Sequence, residues 1–345
     1  MRRRVFQIIL LFSLVLIVDR ALFLLLDKCH QSVVHDSPQG LVSWYLRQNK
    51  KHDVVVFGAS KSKHGIMAAR INSDWFNLAR GGMHEAYALC ALSLIIEDGL
   101  VPKGVVLGVS PQHFYTSSVQ DGEDVATSPQ YFKYYYPVNG VVKDCIDRIS
   151  IFEKFKYFFS SYRFNPDALN LLVGYARHVA GKGRSPFDGL LATQGFVGLS
   201  TFENEQLGES WYEVVTQQLS EAKVVRVEQK FDVQKLYYLN RFLSLCKESN
   251  IQVALVIMPQ LIDMDPRYHT EGWRALETLA EQSKDVVLVD LASGSSAPEL
   301  DWSCWSDRYH LSEKGAEKVT DALREALRGN PAWVPLTRES ANSES

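Results

Sequence analysis

Three side chains in this sequence have the types and chain order of a serine acyl-transfer triad. Ser60 follows the apolar run 53–57 and the pair Gly58-Ala59, while Asp307 and His310 stand three residues apart just before the last helical segment. A serine hydroxyl is a weak nucleophile and needs a neighbouring base. His310 can take its proton, and Asp307 can hold the imidazole in the required tautomer and steady the charge it gains. The oxyanion that develops during attack needs donors already aimed at it, and losing one costs roughly 10²–10³ in rate. The backbone amides of Ser60 and Gly82 are two candidate donors, and the side chain of Gln112 is a third.

Position carries more weight here than motif. Asp-x-x-His occurs a second time, at Asp27-Lys28-Cys29-His30; no strand precedes that copy, which is expected on the surface. Gly58-Ala59-Ser60 also fits a plain turn, and Ser62 is a competing nucleophile two residues on. An α/β-hydrolase elbow would place Gly where Ser62 stands, which argues against that fold.

The elements around these residues read as alternating strands and helices. Residues 53–57, 104–109, 251–258 and 286–290 are short β-rich apolar runs of the kind buried in a parallel sheet, and 73–78 is a shorter one. Residues 84–98, 231–249, 273–283 and 312–327 have helical periodicity. Ser312 is placed to cap the last of these and Gly329 to stop it. The pattern predicts an α/β fold with a parallel sheet and helices on both faces. In such sheets sites form at the carboxyl ends of strands. Ser60, the segment 77–82, the segment 110–112 and the Asp307/His310 pair all fall there. Residues 115–230 break the alternation and read as a largely helical insertion rather than a separate domain. Residues 331–345 read as a flexible tail.

Other residues near these strand ends admit two readings each. Lys61, Lys63 and His64 form either an electropositive mouth for an anionic polymer or lipid head group, or a solvated helix start. Arg80 can clamp a carboxylate or phosphate. His113 is either a substrate contact or an ordinary loop histidine. Asn77 reads as structural, tying loops together at a strand end. The aromatic cluster at 131–136 reads as local core, and the Phe/Tyr-rich stretch 152–164 as an amphipathic helix covering the sheet or lying on lipid head groups.

The N-terminus places the chain at a membrane. Arg2, Arg3 and Arg4 precede the run 5–26, which is almost wholly apolar and long enough to span, since about 20 such residues suffice. Asp19 and Arg20 interrupt it; at a bilayer centre each would cost about 2.5–3.5 kcal/mol on insertion scales. Either they pair with each other or snorkel, or they meet a second membrane protein. The arginines predict an inside N-terminus with the rest of the chain outside. The run is long for the core of a signal peptide, and no small-residue cleavage site follows it. Residues 1–29 are therefore expected to be an uncleaved membrane anchor, and 30–330 the α/β domain.

Composition excludes other classes. With 37 Lys+Arg against 40 Asp+Glu the net charge is -3, which gives no sign of a nucleic-acid binder. Five cysteines without Cys-x-x-Cys spacing indicate neither a thiolate metal site nor a disulfide framework. The sequence holds no P-loop or dinucleotide fingerprint, so no cofactor and no metal are expected.

The blocks Gly58-Ala59-Ser60, 77–82 (Asn-Leu-Ala-Arg-Gly-Gly) and 307–310 (Asp-Arg-Tyr-His) resemble those of the SGNH (GDSL-like) hydrolase superfamily. The segment 110–114 (Ser-Pro-Gln-His-Phe) is similar to an element of the membrane-anchored DltD-type proteins of teichoic-acid D-alanylation. The resemblance covers about half the chain and leaves 115–230 unmatched. It implies an SGNH-like fold, Ser60 as nucleophile, Asp307 and His310 as its partners, Gly82 as an oxyanion donor, and a membrane-bound O-acyltransferase as partner. Two departures stand out: no Gly-x-Asn-Asp element follows the third strand, and Ala59 replaces a common Asp. The expectation is acyl transfer to an extracytoplasmic glycan or cell-envelope polymer. A polymer O-acyl esterase and a non-catalytic membrane scaffold are the alternatives.

Overall fold

The computed structural model describes residues 2–34, 36–116, 125–165, 167–183, 185–201, 209–214, 217, 230–261 and 270–338. Parts of the expected insertion (117–124, 202–208 and most of 215–229) and the end of the expected tail (339–345) lie outside the described residues.

In chain order the principal elements are α1 (Arg2–Ser32), α2 (Pro38–Arg47), β1 (Val54–Phe57), α3 (Ser60–Gly65), β2 (Trp75–Asn77), α4 (Glu85–Glu97), β3 (Gly104–Val109), α5 (Gly140–Ile149), α6 (Ala168–Val179), α7 (Val233–Glu248), β4 (Gln252–Ile257), α8 (Thr270–Glu281), β5 (Val286–Asp290) and α9 (Glu313–Arg328). Two compact units result, one made of Met1–Gln48 with Pro129–Asp188 and the other of Asn49–Ser128 with Gly189–Ser345.

The second unit is built on a five-stranded sheet in the order β2-β1-β3-β4-β5, every pair parallel. Every residue of β1 and β3 is buried. That explains why these strands read as unbroken apolar runs: helices cover both faces of a parallel sheet, so neither face tolerates polar side chains. α4 has the same cause, with eleven of its 13 residues buried and an apolar surface on all sides. Ser312 caps α9 as its position predicts, its hydroxyl accepting from Gly315 N at 3.3 Å.

The end of the chain differs from expectation. Trp333 and Leu336 are buried, Leu336 O accepts from Trp75 Nε1 at 2.7 Å, and a Cβ on Gly104 would lie 2.9 Å from Leu336 Cδ1. Residues up to 338 are therefore part of the packing of this unit. Two large apolar side chains in a ten-residue tail are enough to seat it on the sheet.

The first unit centres on α1. The helix has an 18-residue window of mean hydropathy 2.6, of which 6% is buried. At 1.5 Å per residue its 31 residues extend about 46 Å, against a hydrocarbon core of about 30 Å. It is long and apolar enough to cross a membrane. Its C-terminal end packs with a segment of the expected insertion: Leu26, Cys29, Val33, Phe164 and Leu171 form one buried cluster. Residues 129–188 thus pair with the N-terminal 48 residues, a long-range association that no local pattern announces. The second Asp-x-x-His copy belongs to this cluster and is not on the surface: His30 is buried with its ring 4.0 Å from that of Tyr134, whose hydroxyl donates to Asp27 Oδ1 at 2.8 Å. Asp19 is likewise partnered within the chain. Its carboxylate accepts from Ser160 N (2.8 Å), Ser161 N (3.0 Å) and Ser161 Oγ (2.6 Å), partners that the sequence does not announce.

Candidate active site

β1 ends at Phe57, and Gly58 turns the chain into α3 at φ 136°, a conformation glycine adopts without strain. Ser60 is the first residue of α3. Backbone amides in a first helical turn have no intrahelical acceptor, so the Ser60 amide is of the kind an oxyanion hole uses. The same turn settles the two serines. Ser62 is buried, packed so that a Cβ on Gly58 or Gly108 would collide with its hydroxyl; Ser60 faces the loop that carries His310.

Asn77 ends β2 and is wholly enclosed. Its amide group donates to Ser62 O at 2.9 Å and Ile66 O at 2.8 Å, and its carbonyl accepts from Ala79 N at 3.0 Å. It thereby ties α3 to the 78–83 loop, the structural role its position suggests. That loop turns back at Gly82, at φ 73°, after Arg80 N donates to Gly58 O at 3.0 Å.

The loop from 306 to 310 is closed by a bridge between Trp305 and Leu311 and organised by Asp307. Asp307 Oδ1 accepts from Tyr309 N (2.7 Å) and His310 N (2.9 Å), and Oδ2 lies 2.8 Å from His310 Nδ1. An ionised carboxylate only accepts, so Nδ1 carries the hydrogen. His310 Nε2 is then the acceptor, and the Ser60 hydroxyl donates to it at 2.8 Å. Burial pushes the Asp307 carboxyl up, but the hydrogen bonds from His310 and the Tyr309 amide outweigh it and hold the group below the usual carboxylate range. A base within 2.8 Å of a serine hydroxyl, itself oriented by a carboxylate at 2.8 Å, is the arrangement of serine acyl-transfer chemistry.

A cavity of about 190 Å³ opens beside Ser60, walled by Lys61, Gly82, His84, His113 and Met258. Of the residues expected there, the structure brings Ser60, Lys61, Gly82 and His113 to one cavity. Arg80 and Gln112 are not among its lining residues. Gln112 shares the short 3-10 turn Pro111–Phe114 with His113; successive side chains of such a turn point about 120° apart, so the turn presents His113 instead.

Lys61 and His64 are not a solvated helix start. Lys61 donates to Gln260, in the loop after β4, and burial lowers its ammonium pKa to about 8. His64 Nδ1 donates to Val197 O at 2.7 Å, and its ring stands edge-on to His310 with centroids 5.6 Å apart. Burial lowers the His64 pKa, so this neighbour meets the base as a neutral imidazole. Two residues escape the sequence reading: His84, which lines the cavity, and its neighbour Glu85. His84 precedes α4, and burial lowers its pKa to about 3. Glu85 is fully buried, which pushes its carboxyl up. The readable signal was an adjacent His-Glu pair opening an otherwise apolar helix.

A family model described as "Protein of unknown function (DUF1574)" matches residues 2–327. The chain belongs to this family. No curated protein matches it. Among solved structures, a chain from Bacteroides fragilis described as a "putative acylhydrolase" is similar at 13% identity and a TM-score of 0.36, over 82% of this chain and 94% of its own. At that looseness of superposition, the chemistry of this family member rests on its own site geometry.

Proposed function

We propose that this protein is a membrane-anchored serine acyl-transfer enzyme. The observation that carries the reading is the hydrogen-bonded relay from Asp307 through His310 to Ser60, which opens into a cavity bounded by Gly82. Ser60 Oγ attacks an acyl carbonyl as His310 Nε2 takes its proton, and the Ser60 and Gly82 amides receive the oxyanion. The tetrahedral intermediate then expels the leaving group, which takes the proton from His310. An acceptor hydroxyl, deprotonated by the same imidazole, attacks the acyl-Ser60 ester and frees the serine. The cavity is small, which suits a short acyl group. Lys61 and His113 on its wall contact the substrate.

The acceptor in this reading is a hydroxyl of an extracytoplasmic glycan or envelope polymer. Arg2, Arg3 and Arg4 before α1 support it by favouring an inside N-terminus. An acyl donor made inside the cell would have to cross the membrane, so a membrane-bound O-acyltransferase is the partner that fits. Transfer and hydrolysis differ only in whether a glycan hydroxyl or water resolves the acyl-enzyme. The test is to load full-length protein in detergent with p-nitrophenyl acetate and follow loss of the adduct with and without a soluble glycan. Persistence in water with discharge onto glycan supports transfer; equally fast discharge in water makes the enzyme an esterase.

A further inference from the structure

We propose that His84, Glu85 and His113 form a binding site for a divalent transition-metal ion, with zinc the best match. Their ligand atoms lie within 4.8 Å of one another. The two imidazole rings have centroids 4.1 Å apart at 62°, and His113 Nδ1 lies 3.7 Å from Glu85 Oε1. Glu85 is 1% exposed, yet neither of its carboxylate oxygens accepts a hydrogen bond, and buried His84 Nδ1 has no hydrogen-bond partner either. Buried polar atoms are otherwise nearly always satisfied, and a carboxylate aimed at two imidazoles is a donor set in need of a cation. Two nitrogens and one oxygen suit zinc, which uses His₂Glu sets where a fourth position stays open. Tetrahedral bonds of about 2.0–2.1 Å place ligand atoms roughly 3.4 Å apart, so side-chain rotations of about an ångström complete the site. The hard cations magnesium and calcium prefer all-oxygen sets. Both histidines line the cavity that holds Ser60. Lys61 and Lys235 are near enough to act on the cluster electrostatically; their charges oppose a cation, so the affinity rests on ligand chemistry rather than on net charge.

The test uses full-length protein in detergent, stripped with a chelator and titrated with zinc by calorimetry, with magnesium as control. The site predicts one zinc per chain, no magnesium binding, and at least tenfold weaker zinc binding in Glu85→Gln and His113→Ala with unchanged circular dichroism. Zinc binding equally in the variants, or none in the wild type, overturns the site. If either variant fails to fold, wild-type protein answers the question through diethyl pyrocarbonate: zinc must protect His84 and His113 specifically, and absence of protection refutes the assignment.

A separate observation carries a second inference: we infer that residues 151–159 are inserted in the bilayer beside α1. Ile151, Phe152, Phe155 and Phe158 are 52–68% exposed, a density of exposed apolar area that water disfavours. The segment is held against the apolar helix itself. Phe158 stacks on Phe12 with centroids 5.9 Å apart, and the amides that follow it cap Asp19, both well inside the span of α1. This surface therefore continues the exposed surface of α1, and its occupant is the lipid at the boundary of its acyl region, with the exposed Lys154 and Lys156 of the same segment reaching the head groups. It also explains Asp19: the carboxylate is a clasp satisfied by three donors, which offsets its cost in hydrocarbon.

The test places single cysteines in full-length protein in proteoliposomes; the five native cysteines are buried. A membrane-impermeant maleimide should label Phe155→Cys at least tenfold more slowly in vesicles than in detergent. Val233→Cys, 72% exposed in the other unit, fixes the fraction of outward-facing molecules. Adding Asp19→Leu should restore labelling of Phe155→Cys. Equal labelling in vesicles and detergent overturns the insertion.

Discussion

Asn77, at the end of β2, donates through its one amide group to the carbonyl oxygens of both Ser62 and Ile66, so a single buried side chain fixes the helix that begins with Ser60. Replacing it with alanine strands two enclosed groups, Ile66 O and Ala79 N, while Ser62 O keeps the Ile66 amide. Each unsatisfied group costs about 1–3 kcal/mol, so Asn77→Ala should lower unfolding stability by roughly 2–4 kcal/mol in a denaturant titration. Below that transition, kcat should fall more than KM rises, because the serine is displaced while the cavity remains.

The two serines of α3 should separate cleanly. Ser62 is enclosed beneath Gly58 and Gly108, so Ser62→Ala should keep most of the esterase activity measured on p-nitrophenyl acetate. Gly108→Ala places a methyl against the Ser62 hydroxyl, and overpacking of this kind costs about 1–3 kcal/mol. The Ser62→Ala/Gly108→Ala double variant should recover part of that loss, giving a favourable coupling in a double-mutant cycle. Strict additivity would show that the contact is not the cause.

Acid stability should depend on the loop that leads to the relay. Asp301 caps its first turn by accepting from Ser303 N at 2.9 Å. The Ser303 hydrogen bond, with Lys314 and Lys318 nearby, lowers the Asp301 pKa from 3.8 to about 2. A folded-state pKa below the unfolded one means stability that is fully present above about pH 4 and lost as pH falls toward 2. Asp301→Asn should therefore be less stable than wild type at pH 6, with the two converging between pH 4 and 2 in thermal melts. A difference that is constant with pH would contradict this.

Much of this was legible because the determinants are local. Buried parallel strands need unbroken apolar runs, so 104–109 announces β3 residue for residue, and Ser312 announces the start of α9 because orphan amides need a hydroxyl. Ser60, Asp307 and His310 were readable from strand-end position and chain order, since such sheets gather those ends. What was hidden depends on contacts distant in sequence. Asp19 looked costly because Ser160 and Ser161 lie some 140 residues away. Trp333 and Leu336 looked frayed because nothing local shows the space beside Gly104. Gln112 and His113 are both candidates in the sequence, as oxyanion donor and substrate contact, and the direction of the 3-10 turn, which brings His113 and not Gln112 to the cavity, is not written there. Glu85 gives no local sign of its surroundings, because one acidic residue at a helix start ordinarily complements the helix dipole.

The most direct test of the central claim is the acyl-enzyme itself. Full-length protein in detergent is mixed with p-nitrophenyl acetate, quenched in acid, and analysed by intact mass and peptide mapping. The account predicts one acetyl group per chain, located on Ser60, absent in Ser60→Ala and formed at least a hundredfold more slowly in His310→Ala. An acetyl group on Ser62 or elsewhere, or an adduct that forms equally in Ser60→Ala, would contradict it.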